Sequence, residues 1–186
     1  MSVASPANRG VSALFTDTMN TPAGTLVIQA SAQGITQVDF IEAEPASVYP
    51  NELTKRCKQQ LREYFEGKRK TFDLPLDQQG TSFQKSIWKS LLKIPFGRAV
   101  SYRDIADMVN NRKAVRAVGA ANGKNPIAII VPCHRVIGAD RSLTGYAGGI
   151  ERKAWLLKHE GIAFKSEHED HHSANMNNRQ SDLFDE

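Results

Sequence analysis

The chain has 186 residues, 40% of them apolar, with 24 Lys/Arg against 20 Asp/Glu. That is the composition of a soluble globular protein of one medium or two small domains, and no run approaches the roughly 18 apolar residues of a membrane span. Two cysteines, Cys57 and Cys133, exclude a disulfide framework and a four-cysteine zinc site. With no secretion signal in the opening "MSVASPANRGVSALF", the expected compartment is the cytoplasm.

Charge is unevenly distributed. Residues 81–162 carry fourteen Lys/Arg against five Asp/Glu, residues 1–80 carry eight against nine, and residues 163–186 carry two against six. A basic segment beside a neutral one is either a solvated basic face or the footprint of an anionic partner, most economically nucleic acid.

In chain order, "VSALFTDTM", "GTLVIQAS" and "GITQVDF" read as three short strands, with turns at 21–24 and at Gly34. "NELTKRCKQQLREYFEGK" predicts an amphipathic helix on Leu53, Cys57, Leu61 and Tyr64/Phe65, stopped at Gly67, with Cys57 in the core. "DLPLDQQGT" reads as an inter-domain linker. Ser82 is the expected cap of a helix burying Phe83, Ile87, Trp88, Leu91 and Ile94, ended by Pro95 and Gly97. Ser101, with Asp104 three residues on, is expected to cap a short helix "YRDIADMV". "NNRK" breaks it and "AVRAVGAAN" begins another, which is the outline of a helix-turn-helix or of a plain three-helix packing unit. Its second helix has Arg112, Lys113 and Arg116 near its start, and the small residues Ala117, Gly119, Ala120 and Ala121 allow close approach to a groove. After the apolar run "IAIIVP" comes Cys133-His134, then an expected hairpin around "GADRSLTGY". A last helix, "GGIERKAWLLKHEG", is expected to bury Ile150, Ala154, Trp155, Leu156 and Leu157. From Lys165 on, the chain reads as an acidic disordered tail; His168, His171 and His172 within it are not assigned a metal.

Cys133 is bracketed by Pro132, His134 and Arg135, and cationic neighbours favour the reactive thiolate. Adjacent side chains seldom meet, so His134 would reach the thiol through a bridging water. It also needs an orienting carboxylate, for which Glu160 is one candidate. A Cys/His/acid set alone would suit a cysteine hydrolase. The basic segment before it, and the lack of a Gly-rich nucleophile elbow, favour an activated thiol delivered to nucleic acid.

"PCHRVIG", "GYAGG" starting twelve residues on from Cys133, "NP" before it, "RAVGAAN" and the closing "KAWLLKHEG" together resemble the O6-alkylguanine-DNA alkyltransferases, in the constitutive bacterial form. The likeness runs from about Thr81 to Gly161. Through "TPAG", the strand pattern and "LREYFEG" it extends more loosely over residues 11–80. It implies an α+β fold of two domains. The first (1–80) is a small antiparallel sheet with a helix, ribonuclease H-like, with linker; the second (81–164) is mostly helical, winged-helix-like, and carries the helix-turn-helix and the cysteine; 165–186 is the tail.

The resemblance implies direct-reversal DNA repair without cofactor or metal. A monomer, with cooperativity on DNA left open, binds duplex DNA through the minor groove and flips the base out. It transfers the alkyl group from O6 of guanine (also O4 of thymine) irreversibly to its own cysteine. Extrusion is physically required, because O6 of a stacked guanine is beyond a side chain in the minor groove. By position, Cys133 is the acceptor, His134 the water-coupled base, Glu160 its orienting carboxylate, and Arg116 the arginine that replaces the flipped base. Without the resemblance Arg116 would be read as a phosphate contact. Tyr102 contacts phosphate and donates to the guanine N3, and Asn125 ties down the active-site turn. Arg112, Lys113, Ala117, Gly119 and Arg135 fall in the DNA-binding set. Tyr146, Ala147 and Ala128 line the substrate pocket, and the backbone of Val136 and Cys133 accepts from the guanine amine.

Some positions depart from the pattern. Ala147 stands where some relatives have serine; the backbone N–H makes the contact to O6 there, so activity is expected to survive. Ala128 stands where some have proline, which bears on benzylguanine-type inhibitors and on alkyl-group size. Cys57 has no partner for the N-terminal zinc of some relatives. Cys133 itself argues against the non-catalytic alkyltransferase-like proteins, which lack the acceptor; a helix-turn-helix regulator would form no covalent product.

Overall fold

The computed structural model describes residues 14–165. The chain divides into two compact units, Met1–Gln79 and Gly80–Glu186. The histidines of the tail lie outside the described residues.

The first unit is built on an antiparallel meander. Strands β1 (Phe15–Thr21), β2 (Gly24–Ala30) and β3 (Ile35–Ile41) pair in sequence order, β2 central. The β1–β2 turn is closed by the Thr21 hydroxyl, which donates to the Gly24 carbonyl at 2.6 Å, and Gly24 takes φ 129°, open to glycine. Helix α1 (Glu52–Phe65) starts at a reciprocal capping box, Asn51 with Thr54, and covers the sheet. Leu26, Ile28, Ile35, Val38, Cys57, Leu61 and Tyr64 form the core between them. Gly67, just past the helix, has φ 73°, the left-handed stop expected of it. The segment read as a linker is pinned in its first half, where Ile35 donates to the Pro75 carbonyl and accepts from Asp77. Gly34 permits that approach, since a Cβ would come within 2.7 Å of Pro75 O.

Cys57 sits beside Asp17, whose carboxylate accepts from Lys58 Nζ at 2.8 Å. Burial, and then the Asp17 charge, push the Cys57 thiol up to about 12. A thiol so protonated is inert. We expect Cys57 to resist a thiol reagent such as dithiobisnitrobenzoate in native protein and to react only on denaturation, read by titration of Cys133→Ala protein.

The second unit is helical. Helix α2 (Ser82–Leu91) is capped by Thr81, not by Ser82 as expected. Thr81 accepts from Gln84 N while the Gln84 side chain accepts from Thr81 N, and the glutamine, which Ser82 lacks at that spacing, completes the box. A two-residue strand β4 (Val100–Ser101) leads into α3 (Tyr102–Met108), where Ser101 and Asp104 form a full capping box. A 3₁₀ turn, Arg112–Ala114, then leads into α4 (Val115–Gly123), giving two short helices joined by a turn. Helix α2 lies against α3 and α4, and Trp88 Nε1 donates to the Ala121 carbonyl at 2.9 Å.

The hairpin expected around 138–146 is absent. Strand β5 (Val136–Ile137) pairs instead in parallel with β4, Val100 with Val136 and Ser101 with Ile137. Residues 138–142 form a closed turn in which Ser142 donates to Asp140. Helix α5 (Ile150–His159) also differs from its expected face. Ile150 is 43% exposed and Trp155 only half-buried against His159, whereas Lys153, Leu156 and Leu157 point inward. Hydrophobicity placed the face, but a buried lysine with carbonyl partners rotated it. Among the described residues, no helix is long and apolar enough to cross a membrane.

Candidate active site and nucleic-acid interface

The apolar run before the cysteine forms a strained turn. Ile129 takes φ 71°, costly for a β-branched residue, and Ile130 N and Cys133 N each donate to a carbonyl two residues back. Asn125 holds this turn together. Its Nδ2 donates to the carbonyls of Val131 (2.8 Å) and Ile127 (3.2 Å), and its Oδ1 accepts from Ile127 N. The strain is thus fixed by a side chain whose amide has donors and an acceptor at one end. Cys133 begins the 3₁₀ turn Cys133–Arg135 and is 5% exposed; neither cysteine is in a disulfide.

His134 is fully buried, and its Nε2 lies 2.6 Å from Glu160 Oε1, at the end of α5. Glu160 accepts further from Arg135, Nε to Oε2 at 2.8 Å and Nη2 to Oε1 at 3.1 Å, and from Gly97 N at 3.3 Å. Burial alone would raise the Glu160 carboxyl, but the donors and charges of His134 and Arg135 outweigh it and hold it at about 2. His134 is pushed below its ordinary value by burial, and by the neighbouring charges of Arg135 and Lys153, against the pull of Glu160. The resting pair is therefore a neutral imidazole on a carboxylate. With Nε2–H donating to Glu160, the lone pair falls on Nδ1, a buried atom without a hydrogen-bond partner among the described residues.

Arg135 corrects an expectation. Placed by the sequence in the DNA-binding set, it is buried: two of its donors engage Glu160, Nη1 donates to the Ile94 carbonyl at 2.6 Å, and its guanidinium lies 5.9 Å from the Phe96 ring. None of this is presented to a phosphate backbone.

The exposed cations are elsewhere. Arg112 and Lys113 in the 3₁₀ turn, and Arg116 and Ala117 in the first turn of α4, all face solvent, and Val118, Ala121 and Asn122 face the core. Arg112 is held by Asp107 in an exposed pair. Val115, Gly119 and Gly123 recur every four residues and form one wall of a cavity of about 580 Å³. Its other walls are Tyr102, Thr144, Gly145, Tyr146 and Ala147. Tyr102 faces Gly119, and its phenol oxygen accepts from Thr144 Oγ1 at 3.0 Å. Ala128 and Val136, expected at the substrate, are buried and are not part of that wall.

Two residues escaped the sequence reading. Asn122, on the buried face of α4, donates to the Cys133 carbonyl at 3.3 Å. Lys153, fully buried on α5, donates to the carbonyls of Val136 (2.6 Å) and Thr144 (2.8 Å). Both carbonyls expected to bind the guanine amine are thus already engaged inside the protein: Cys133 O accepts from Val136 N as well as from Asn122, and Val136 O accepts from Lys153. The available signal was a lysine on the inward side of an amphipathic helix. Burial pushes Lys153 down to about 8, against the charge Cys133 carries when ionised, so the ammonium persists at neutral pH and its burial cost fades as pH rises from 8 towards 10.5. Lys153→Met should lower stability by about 1–3 kcal/mol through two carbonyls left without that donor. A denaturant midpoint checks this; no change would mean that water replaces the amine.

Residues 82–162 match the 6-O-methylguanine DNA methyltransferase, DNA binding domain, and residues 14–78 match the 6-O-methylguanine DNA methyltransferase, ribonuclease-like domain. The chain belongs to the O6-methylguanine-DNA methyltransferase family. Within this family it is 48% identical over 160 residues to the constitutive methylated-DNA–protein-cysteine methyltransferase of Bacillus subtilis, covering 80% of this chain and 96% of that one. With the methylated-DNA–protein-cysteine methyltransferase of Methanosarcina barkeri it shares 43% over 153 residues, 79% of this chain and 97% of the relative. The crystal structure of Mycobacterium tuberculosis O6-methylguanine methyltransferase matches at a TM-score of 0.73 and 44% identity, over 83% of this chain and 97% of that one. The M. tuberculosis OGT in complex with DNA matches at 0.72 and 45%, over 78% and 92%. The two family domains are a ribonuclease-like antiparallel sheet domain and a helical DNA-binding domain, an α+β arrangement.

Proposed function

We propose that this methyltransferase repairs alkylated duplex DNA by moving the alkyl group from O6 of guanine to Cys133, once per molecule. The observation that carries this reading is the buried His134–Glu160 pair directly after Cys133, with Nδ1 of the imidazole left as the base.

Residues 81–164 act as the catalytic and DNA-binding domain. The exposed 3₁₀ turn and first turn of α4, with Arg112, Lys113, Arg116 and Ala117, lie in the minor groove. Arg116, which makes no ion pair or hydrogen bond among the described residues, enters the stack in place of the flipped nucleotide. Its planar, permanently charged guanidinium suits both stacking and a polyanion. The extruded base enters the cavity between Gly119, Tyr102, Tyr146 and Ala147. Minor-groove binding, a monomeric state and O4-alkylthymine as a further substrate belong to the same reading.

In the chemical step, the Cys133 proton passes through a water to His134 Nδ1, and Glu160 stabilises the imidazolium. The thiolate attacks the alkyl carbon, so an S–C bond forms as the C–O6 bond breaks. The electron pair of that bond goes to the guanine. Tyr102, whose oxygen already accepts from Thr144, keeps its own proton to donate at N3, where negative charge gathers. The products are guanine in DNA and a stable thioether, whose sulfur has no route back to a thiol.

Intact-mass spectrometry with a duplex carrying one O6-methylguanine tests this. One methylene added per protein, saturating, and absent from Cys133→Ala, is the expected result. Tight binding without a mass change would instead make the chain a damage-sensing DNA-binding protein, and turnover of an ester without a stable adduct would make it a hydrolase.

A further inference from the structure

We infer that Arg135 is a positioning residue for this reaction: its guanidinium, anchored on the Ile94 carbonyl, clamps the Glu160 carboxylate so that Oε1 faces His134 Nε2 and the proton-accepting Nδ1 is kept for the thiol. The inference rests on the reading of Cys133 and His134 above.

Geometry carries it. A carboxylate at the end of a helix can rotate, and an imidazole can carry its proton on either nitrogen. Here both freedoms are removed. Arg135 donates to both oxygens of Glu160, at 2.8 and 3.1 Å, a side-on fork that fixes the carboxylate plane. The third arm, Nη1 to Ile94 O at 2.6 Å, ties the guanidinium to the segment leaving α2, so the clamp does not swing with α5. Gly97 N adds a donor to Oε2 from that same segment, which leaves Oε1 facing His134. The imidazole is consequently held as the Nε2–H tautomer.

Charge gives Arg135 a second effect. The groups that face His134 are Glu160 and Lys153 from α5, and Cys133 and Arg135 on its own turn. Glu160 draws a proton onto the imidazole, while Arg135 and Lys153 repel it. Burial does most to keep the imidazole neutral beside a carboxylate at 2.6 Å; the Arg135 charge, like that of Lys153, adds to it, so that His134 stays able to accept to lower pH than it would without Arg135.

The test uses the full chain with Arg135→Lys and Arg135→Met. Lysine keeps the charge but replaces the fork by a point donor, and methionine removes both. Two readouts are taken: the imidazole ¹H–¹⁵N spectrum of His134, which reports tautomer without any alkylation, and the single-turnover methyl-transfer rate from pH 5 to 9. Arg135→Lys should populate both tautomers and slow transfer by roughly tenfold, with the acid limb near its wild-type position. Arg135→Met should move the acid limb up by about one pH unit, the effect of losing a neighbouring cation. Where Arg135→Met does not fold, Arg135→Lys decides alone. A wild-type tautomer in Arg135→Lys overturns the clamp. A folded Arg135→Met with an unmoved acid limb overturns the electrostatic effect, whatever its rate. If wild-type protein takes no methyl group, the reading of Cys133 fails, while the tautomer measurement still answers for Arg135.

Discussion

Glu160→Gln should slow methyl transfer by about 10²- to 10⁴-fold, the usual contribution of a positioned acid–base group, while duplex affinity changes by no more than a few fold. The amide keeps the shape but loses the charge that the imidazolium needs as the thiol ionises. Glu160 is buried, with both oxygens engaged by His134, Arg135 and Gly97, so DNA contact is not its job. The same variant strands Arg135 as a buried cation without its anion. It should therefore also lose about 3–5 kcal/mol of stability, as a broken buried pair does. The pH dependence separates these effects. Because the Glu160 carboxyl falls from its ordinary 4.5 to about 2 on folding, it contributes stability that is fully present above pH 4.5 and is lost as pH falls towards 2. Glu160→Gln should lack that acid-dependent loss. Denaturant titrations from pH 7 to 2, with single-turnover rates at pH 7, check both. A large loss of DNA affinity at unchanged rate would make Glu160 a structural residue only.

Arg116→Ala should weaken repair in duplex by roughly 10²-fold and leave reaction with the free alkylguanine base nearly unchanged. The reason lies in where each substrate pays. Extruding a base costs a few kcal/mol of stacking and pairing, which a guanidinium filling the gap offsets, and a few kcal/mol is about two powers of ten in rate. The free base needs no extrusion. Arg116 is exposed at the start of α4, and Val115 and Gly119 beside it turn towards the cavity. Loss of a plain phosphate contact would instead lower duplex affinity by one ion's worth and shift the salt dependence. Equal loss with both substrates would mean that Arg116 supports the cavity rather than the flip.

The local elements were largely readable from the chain. The three strands follow alternation and turn residues, and Ser101 and Gly67 bound their helices by side-chain or left-handed geometry that needs no distant partner. Thr81 in place of Ser82 was a one-residue error between two residues of the same chemistry, decided by which has Gln84 three residues on. Larger errors came where the answer lay far away in the chain. The expected hairpin failed because Val136–Ile137 found its partner at Val100–Ser101. The face of α5 was misjudged because Lys153 meets carbonyls of Val136 and Thr144, on segments whose approach periodicity does not encode.

The site divides in the same way. By itself the sequence determined which chemistry is available: a thiol and an imidazole side by side, small residues and cations close together in one short stretch, and a turn former, Asn125, before a proline. These depend on residue type and on neighbours within a few positions, where covalent geometry limits the outcomes. Only the tertiary structure decided what each charge does. Arg135, one residue from His134 and basic like the groove-facing residues, was expected at DNA and is instead held inside by Glu160, twenty-five residues on, and by the carbonyl of Ile94. A buried charge is stable only with its counter-charge and acceptors assembled around it, and that assembly is made by packing between distant segments.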